Sequence, residues 1–219
     1  MTVRLAVFDC DGTLVDGQGA VCSAMEAAYR ATALACPDRN TIRRMVGLSL
    51  PQAVRRLTPE ADEPAVRLLV ERYKDAFRAA RASGELSEPL FDGIREVLAA
   101  LDEAGWAMAV ATGKSDRGLT SCLATHGISP YFMSLQTADR HPSKPHPAML
   151  EAALGEAMVR PEQAVMIGDT AYDMAMALNA GVRGVGVAWG YHEEAELRAA
   201  GAVFVASTPL ELQEYLLNG

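Results

Sequence analysis

The pattern of apolar and polar positions divides the chain into a short strand, a helical stretch and an alternating region. The apolar run at 3–8 stops abruptly at Asp9 and predicts a buried parallel strand. Between about residues 19 and 82 there is no convincing strand pattern, and apolar residues such as Val21 and Met25 recur at helical spacing. We therefore predict an all-helical insertion directly after the first strand.

From Pro89 onward, short apolar runs alternate with helical stretches. The runs predict strands at 106–111, 131–136, 164–167, 184–188 and 203–205. This alternation is typical of βαβ units, which build a parallel sheet with helices on both faces. We predict an α/β fold with a doubly wound, Rossmann-like sheet core from residues 1–15 and 83–219. An all-helical cap-like domain at 16–82 would be inserted into it.

Charge and composition exclude several classes of function. The net charge is −8 and the pI about 5.0, which argues against a broad surface for nucleic acid or an anionic membrane. No stretch reaches the roughly 18 apolar residues of a membrane span, and the N-terminus does not resemble a signal peptide. The four cysteines form no CxxC pair and suit free thiols. We expect a cytoplasmic protein with a small-molecule partner; the pattern indicates no oligomeric state.

Polar residues with complementary chemistry follow several of the predicted strands. Ligands of such sheets bind beyond the carboxyl ends of the strands, so these segments are expected to meet. They are Asp9-Cys10-Asp11-Gly12-Thr13, Thr112-Gly113, Ser143-Lys144-Pro145 and Gly168-Asp169-Thr170 with Asp173. If the first strand continued to Asp11, the Asp9 and Asp11 side chains would leave on one side. One polar strand end is ordinary, whereas four with complementary chemistry indicate a site.

These residue types suit a metal ion and a phosphate. Carboxylates bind hard cations, and Mg²⁺ fits best because it takes few protein carboxylates and keeps several waters. The candidate ligands are Asp9, Asp11, Asp169 and Asp173. The Thr112 hydroxyl, the Gly113 N–H and the Lys144 ammonium would bind a phosphate. Gly12 and Thr13, in the first turn, are further candidates for phosphate binding, and the whole set predicts phosphoryl transfer.

The predicted reaction uses a carboxylate as nucleophile, because the sequence has no Ser–His or Cys–His pair for this role. Asp9 is the better nucleophile because it lies nearer the rigid strand, and it would form an aspartyl-phosphate. Asp11 would protonate the leaving oxygen and later activate water, with Gly12 permitting the tight turn. Thr112 and Lys144 would stabilise the charge on the transferred group.

These motifs resemble those of the haloacid-dehalogenase-type phosphatases. The similar segments, in the family's order, are Asp9-Cys10-Asp11-Gly12-Thr13, Thr112-Gly113, Lys144-Pro145 and 168–173. They span the chain, and the insertion from about Asp16 to Ala82 is similar to the family's small helical cap.

The resemblance implies a role for each matching residue. The roles are nucleophile for Asp9, acid/base for Asp11, phosphate binder for Thr112 and Lys144, and metal ligand for Asp169. It also implies that the metal takes the backbone carbonyl of Asp11 and binds Asp173 directly or through water. The implied cofactor is Mg²⁺, and the implied activity is hydrolysis of a phosphomonoester.

The substrate is left open within this family. Segments such as 112–114 and 144–147 look like those of phosphoglycolate-phosphatase-like members, but relatives acting on other small phosphomonoesters share them. Gly17 departs from the Ser or Thr usual at this position. The candidates are therefore a phosphoglycolate-like compound, a sugar phosphate or a nucleotide. We expect specificity to come from the helical insertion, with Arg43, Arg44 and Gly47 facing the far end of the substrate.

Three alternatives share part of this pattern. A phosphomutase of the same family keeps Asp11 but usually has an arginine soon after the cap glycine, where this chain has Leu50, so a hydrolase is favoured. A phospho-accepting receiver-type signalling domain lacks the insertion and the Asp-x-Asp pair. A non-catalytic binding module is disfavoured because every motif residue is present.

Overall fold

The computed structural model describes residues 4–32 and 34–218, and Val3 lies outside them. Six parallel strands within these ranges form one sheet: β1 (Leu5–Phe8), β2 (Ala107–Thr112), β3 (Ser134–Thr137), β4 (Ala164–Gly168), β5 (Arg183–Val187) and β6 (Ala202–Ala206). Their order across the sheet is β3-β2-β1-β4-β5-β6. The predicted α/β fold is confirmed. The chain winds outward in both directions from β1, the point at which such sheets bind ligands.

The helices fall into two groups. The helical insertion contains α1 (Gln18–Arg30), α2 (Arg39–Arg43), α3 (Leu50–Leu57) and α4 (Glu63–Ser83). The others are α5 (Ile94–Glu103), α6 (Asp116–Thr125), α7 (Ala148–Ala157), α8 (Ala171–Asn179), α9 (Glu194–Ala199) and α10 (Pro209–Asn218). None of the helices in the described ranges is long and apolar enough to cross a membrane.

Each face of the sheet is covered by a different set of helices, because side chains alternate along each strand. Phe8 of β1 is buried on one face in a cluster with Ile94 of α5 and Leu212 of α10. Val7 is buried on the opposite face in a cluster with Met149 of α7. β1 is therefore covered on both sides, which explains why its sequence is a continuous apolar run.

The helical insertion has a hydrophobic cluster of its own. Tyr29 of α1, Ile42 of α2 and Leu69 of α4 are buried together in it. The chain enters and leaves the insertion side by side, because the Asp16 N–H donates a hydrogen bond to the Pro89 carbonyl at 2.8 Å. The two chain crossings between the insertion and the sheet core thus lie next to each other.

Two predicted strand boundaries are wrong. The strand predicted at 131–136 begins only at Ser134, because Ser129–Tyr131 form a short 3₁₀ turn that contains Pro130. Trp106 precedes β2 rather than opening it, since its N–H closes the end of α5 on the Leu101 carbonyl. In both places a local turn overrides the strand preference of an aromatic residue.

Truncation of Leu69 should show how much the insertion depends on its own core. Leu69 is fully buried, whereas its neighbour Leu68 on the same helix is 44% exposed. We expect Leu69→Ala to lower the free energy of unfolding by about 2–5 kcal/mol, because it removes buried methyl groups and leaves a cavity. Leu68→Ala, the control, should change it by less than about 0.5 kcal/mol. Urea unfolding measures both, and equal losses would contradict the packing described.

Candidate active site

The predicted polar segments meet at the carboxyl edge of the sheet. β1 lies between β2 and β4 in register, with Phe8 beside Val110 and Ile167. The Asp9 N–H donates to the Ile167 carbonyl at 2.9 Å, so the pairing continues one residue past the strand. The backbone therefore fixes Asp9 between the ends of the two neighbouring strands.

Three carboxylates and one lysine are buried together at this edge. One carboxylate oxygen from each of Asp9, Asp169 and Asp173 lies within 4.8 Å of the others, and all three residues are fully buried. Lys144 is also fully buried, and its Nζ lies 2.8 Å from Asp9 Oδ2 and 2.6 Å from Asp173 Oδ1. When all are ionised, the group carries more negative than positive charge.

Burial and mutual repulsion set the protonation of this group. Burial, with the charges of Asp173 and Asp11 added, raises the pKa of Asp9 to about 7, although Lys144 opposes the shift. Burial and the charges of Asp173 and Asp9 also raise the pKa of Asp169 well above its ordinary value. Burial lowers the pKa of Lys144, but Asp173 and Asp9 outweigh it and hold that pKa above its usual value. The lysine is therefore a fixed cation.

The donor set fits a hard divalent cation. Asp9 Oδ2 and Asp173 Oδ1 are within ion-pair distance of Lys144 but have no aligned hydrogen-bond donor among the described residues. Clustered carboxylate oxygens with unused bonding capacity are the ligands preferred by such ions. Asp173 serves two purposes, because its other oxygen accepts hydrogen bonds from the Thr170 N–H (3.1 Å) and hydroxyl (2.7 Å) at the start of α8.

Asp11 is paired with a different lysine. Its Oδ1 lies 3.0 Å from Lys114 Nζ, which also lies 2.5 Å from Glu88 Oε1. Burial raises the pKa of Asp11, with the charge of Lys114 opposing it. β1 ends at Phe8, so strand alternation does not extend to Asp11. Asp9 contacts Lys144, whereas Asp11 contacts Lys114. The three-carboxylate cluster does not include the Asp11 side chain, so its predicted metal contact would fall to the backbone carbonyl.

The turn after Asp11 packs against the carboxylates. Gly12 has φ +81°, and a Cβ there would lie 2.1 Å from Asp169 Oδ2. The Thr13 hydroxyl donates to Asp169 Oδ1 at 2.9 Å. In this structure Gly12 and Thr13 therefore position Asp169, and their predicted contact with phosphate stays a prediction.

The end of β2 and the helical insertion approach each other closely. Thr112 is buried, and its hydroxyl accepts a hydrogen bond from the Lys114 N–H at 3.2 Å. A Cβ at Gly113 would lie 2.4 Å from the Leu48 carbonyl oxygen. Gly47, which has φ +95°, comes so near that a Cβ there would lie 3.8 Å from Asp9 Oδ2. The loop at 47–48 thus closes over the strand ends.

The sequence is similar to a known family and to named phosphatases. A family model described as haloacid dehalogenase-like hydrolase matches residues 6–187. The chain belongs to that family. A Dickeya dadantii (strain 3937) protein named "Probable phosphatase IndB" is 35% identical over 208 residues, covering 93% of this chain and 89% of that protein. A phosphoglycolate phosphatase of Agrobacterium fabrum is 31% identical over 231 residues, covering 98% and 95%.

A solved structure of a protein from this family has the same fold. The haloacid dehalogenase-like hydrolase from Streptococcus pneumoniae superposes with a TM-score of 0.84 at 26% identity, covering 98% of each chain. The protein is therefore a phosphoric monoester hydrolase of the haloacid dehalogenase-like family. The family match runs from β1 through the insertion to β5, a layout that differs from a receiver-type signalling domain, and the named phosphatases among the relatives do not favour a non-catalytic binding module.

Two of the predicted specificity residues lie away from the carboxylates of this hydrolase. Arg43 donates to Gln18 Oε1 at 2.9 Å, within the helical insertion. Arg44 forms an ion pair with Glu196 of α9 and joins the insertion to the sheet core. A role for either arginine in choosing the substrate stays a prediction, whereas Gly47 lies beside Asp9.

The segment after β5 contributes residues that the motif analysis did not assign. The Tyr191 N–H donates to Asp169 Oδ2 at 2.9 Å, and the Trp189 indole N–H donates to the Thr13 carbonyl at 3.2 Å. A Cβ at Gly190 would lie 2.2 Å from the Cβ of Asp169. Residues 189–191 follow a strand end, so the rule that points to the other segments applies to them as well.

Replacing Gly190 should disturb the hydrolase by displacing Asp169. The added Cβ would meet the rigid Cβ of Asp169, which cannot move without its backbone. We expect Gly190→Ala to reduce kcat/KM by roughly a hundredfold, the effect of a misplacement of about 1 Å. Gly155→Ala is the matched control, because nothing lies within 4 Å of its added Cβ. Steady-state phosphate release measures both, and a fully active Gly190→Ala variant would refute the packing argument.

Proposed function

We propose that this protein is a Mg²⁺-dependent phosphatase that hydrolyses a small phosphomonoester through an aspartyl-phosphate. The observation that carries the proposal is the fully buried group of Asp9, Asp169, Asp173 and Lys144 at the carboxyl edge of the sheet. Carboxylates buried at this density are costly unless a cation or a proton lies between them. The family supports the same reading.

The metal would be held by Asp9, Asp169 and Asp173, together with the backbone carbonyl of Asp11. When bound, Mg²⁺ would supply positive charge beside the phosphate oxygens and offset the repulsion among these carboxylates. Lys144 supplies a further fixed positive charge 2.8 Å from Asp9 Oδ2. The positive charge of Lys144 would thus allow the Asp9 carboxylate to approach an anionic substrate.

In the first step an oxygen of Asp9 attacks the phosphorus, and the bond from phosphorus to the leaving oxygen breaks. Asp11 gives its proton to that oxygen, so the product leaves as an alcohol. The raised pKa of Asp11 favours the protonated form needed at this moment. Thr112, Gly113 and Lys144 would hold the phosphoryl oxygens during the transfer.

In the second step the ionised Asp11 takes a proton from water, whose oxygen attacks the phosphorus of the aspartyl-phosphate. The acyl phosphate bond breaks, Asp9 is restored as a carboxylate and inorganic phosphate leaves. The helical insertion would act as a cap that excludes bulk water, with Gly47 beside the nucleophile.

The relatives and the sequence support a small phosphate ester as the substrate. Several relatives are named phosphoglycolate phosphatase, which supports a small phosphate ester. The candidates are a phosphoglycolate-like compound, a sugar phosphate or a nucleotide, and the hydrolase remains ahead of the mutase because Leu50 replaces the arginine. A cytoplasmic location stays a prediction, consistent with four free cysteines in the described residues.

Replacing the nucleophile tests the reaction. We expect Asp9→Asn to reduce kcat by about 10⁴-fold or more, because an amide cannot form the acyl phosphate. Phosphate release is measured with Mg²⁺ on phosphoglycolate, sugar phosphates and nucleoside monophosphates. Asp102→Asn, at an exposed position of α5, is the control and should stay fully active. Substantial activity in Asp9→Asn would show that another group is the nucleophile.

Mg²⁺ should also stabilise the fold, a readout that needs no turnover. At a hundredfold excess over Kd, binding adds about 2.7 kcal/mol, which raises Tm by about 5–10 °C in a chain of this size. The physical reason is relief of repulsion among buried carboxylates. Asp169→Asn should lose most of the shift, whereas Glu162→Gln, whose side chain is 76% exposed, should keep it. A Tm indifferent to Mg²⁺ in the wild-type chain would count against the metal site.

A further inference from the structure

We propose that the leaving group of the substrate carries a planar ring, as in a nucleoside 5′-monophosphate. This inference rests on the proposed phosphatase function and names its substrate class. The observation behind it is a cleft of about 610 Å³ between the helical insertion and the sheet core. Asp11 lines this cleft, so the group attached to the leaving oxygen that Asp11 protonates would lie in the cleft.

One wall of the cleft is aromatic. Tyr73 and Phe77 stand one turn apart on α4, and their rings are stacked with centroids 5.6 Å apart and planes 28° apart. Both side chains are half-buried, and both line the cleft. The two rings cover one face of each other, and a further planar ring can pack against the pair edge-to-face or in an offset stack, which adds to the apolar surface that is buried.

The cleft also carries positive charge in a chain whose net charge is −8. Lys114 Nζ and the Arg81 guanidinium lie 5.8 Å and 5.9 Å from the centroid of the Phe77 ring. Arg117 lines the cleft as well, and no described residue partners it. Lys114 is paired with Asp11 and Glu88, and Arg81 with Glu88, so among these three cations Arg117 is the one left to attract the phosphate dianion of any substrate. It selects phosphate esters without selecting among them.

The volume disfavours a two-carbon acid. Clefts of about 300–1,000 Å³ hold ligands of drug size, and a group as small as glycolate would leave the Tyr73–Phe77 wall in contact with water. A ring joined to the phosphate through a short polar spacer covers that wall and keeps its phosphate at Asp9. The aromatic wall and the volume of the cleft together favour a ring-bearing ester over a bare sugar phosphate and over a two-carbon acid.

The sharpest test compares two esters that differ only in the ring. Adenosine 5′-monophosphate and ribose 5-phosphate share the ribose and the phosphate. We expect kcat/KM to be at least about tenfold higher for the nucleotide, which corresponds to ~1.4 kcal/mol. Phosphoglycolate should also be the poorer substrate. Equal or better hydrolysis of ribose 5-phosphate or phosphoglycolate would overturn the proposal.

Variants of Phe77 locate the preference. Phe77→Leu keeps an apolar side chain but removes the ring, and it should lower kcat/KM for the nucleotide by about tenfold. Its kcat/KM for ribose 5-phosphate should be unchanged, and Phe77→Tyr should retain the preference. Phe204→Leu is the matched control, because Phe204 stacks on Tyr215 at the far edge of the sheet. A preference that survives in Phe77→Leu would contradict the assignment.

Binding separates this inference from the proposed reaction. Calorimetric titration of the Asp9→Asn variant, and of the wild-type chain with EDTA, gives Kd for both esters without turnover. The nucleotide should bind about tenfold more tightly, and Phe77→Leu should remove that difference. If no phosphomonoester were hydrolysed but this difference appeared, the phosphatase proposal would fail and the ring preference would stand. Equal binding of the two esters would refute the ring preference itself.

Discussion

Burial of charge at the carboxyl edge of the sheet is the constraint on which this molecule depends. Three carboxylates can be held there only because a buried lysine lies between two of them and the backbone comes close enough to fix their oxygens. The close approach explains the glycines around the group. At Gly12 and Gly190 a Cβ would overlap Asp169, and at Gly168 it would lie 2.4 Å from the Asp173 carboxyl carbon. These positions require glycine, because any larger residue would displace the buried carboxylates.

The two aspartates of the first motif belong to different environments. Asp9 lies within the sheet edge and contacts Lys144, whereas Asp11 lines the cleft beneath the helical insertion and contacts Lys114. Gly17 takes part in this separation, because a Cβ there would lie 2.6 Å from Asp11 Oδ1. The departure from the family's usual Ser or Thr therefore gives the Asp11 carboxylate the space it occupies beside Lys114. The Asp11 carboxylate, although buried, therefore borders the cleft that the insertion covers.

The sequence alone was sufficient for the sheet and for the residues at its edge. Buried parallel strands are continuous apolar runs, and the polar residues that end them stand out against that background, as at Asp9 and Asp169. The individual contacts that loops make with one another could not be predicted, although the meeting of the polar strand ends could. Glu88 beside Lys114, and Gly190 against Asp169, depend on how loops fold over one another, which no local pattern encodes. The position of Arg44 on Glu196 belongs to the same class, since only the docking of the insertion decides it.

The central place of β1 has a consequence for how the protein assembles. Leu5 pairs with Ala107 on one side and with Ala164 on the other, so the first strand to be synthesised must wait for partners about 100 and about 160 residues later. Contacts of such long range are formed slowly, because the intervening chain must be ordered first. The helices of the insertion pack within residues 18–83 and need no such wait. Asp9, at the end of β1, is therefore made before the strands that hold it and is among the last residues to reach its place.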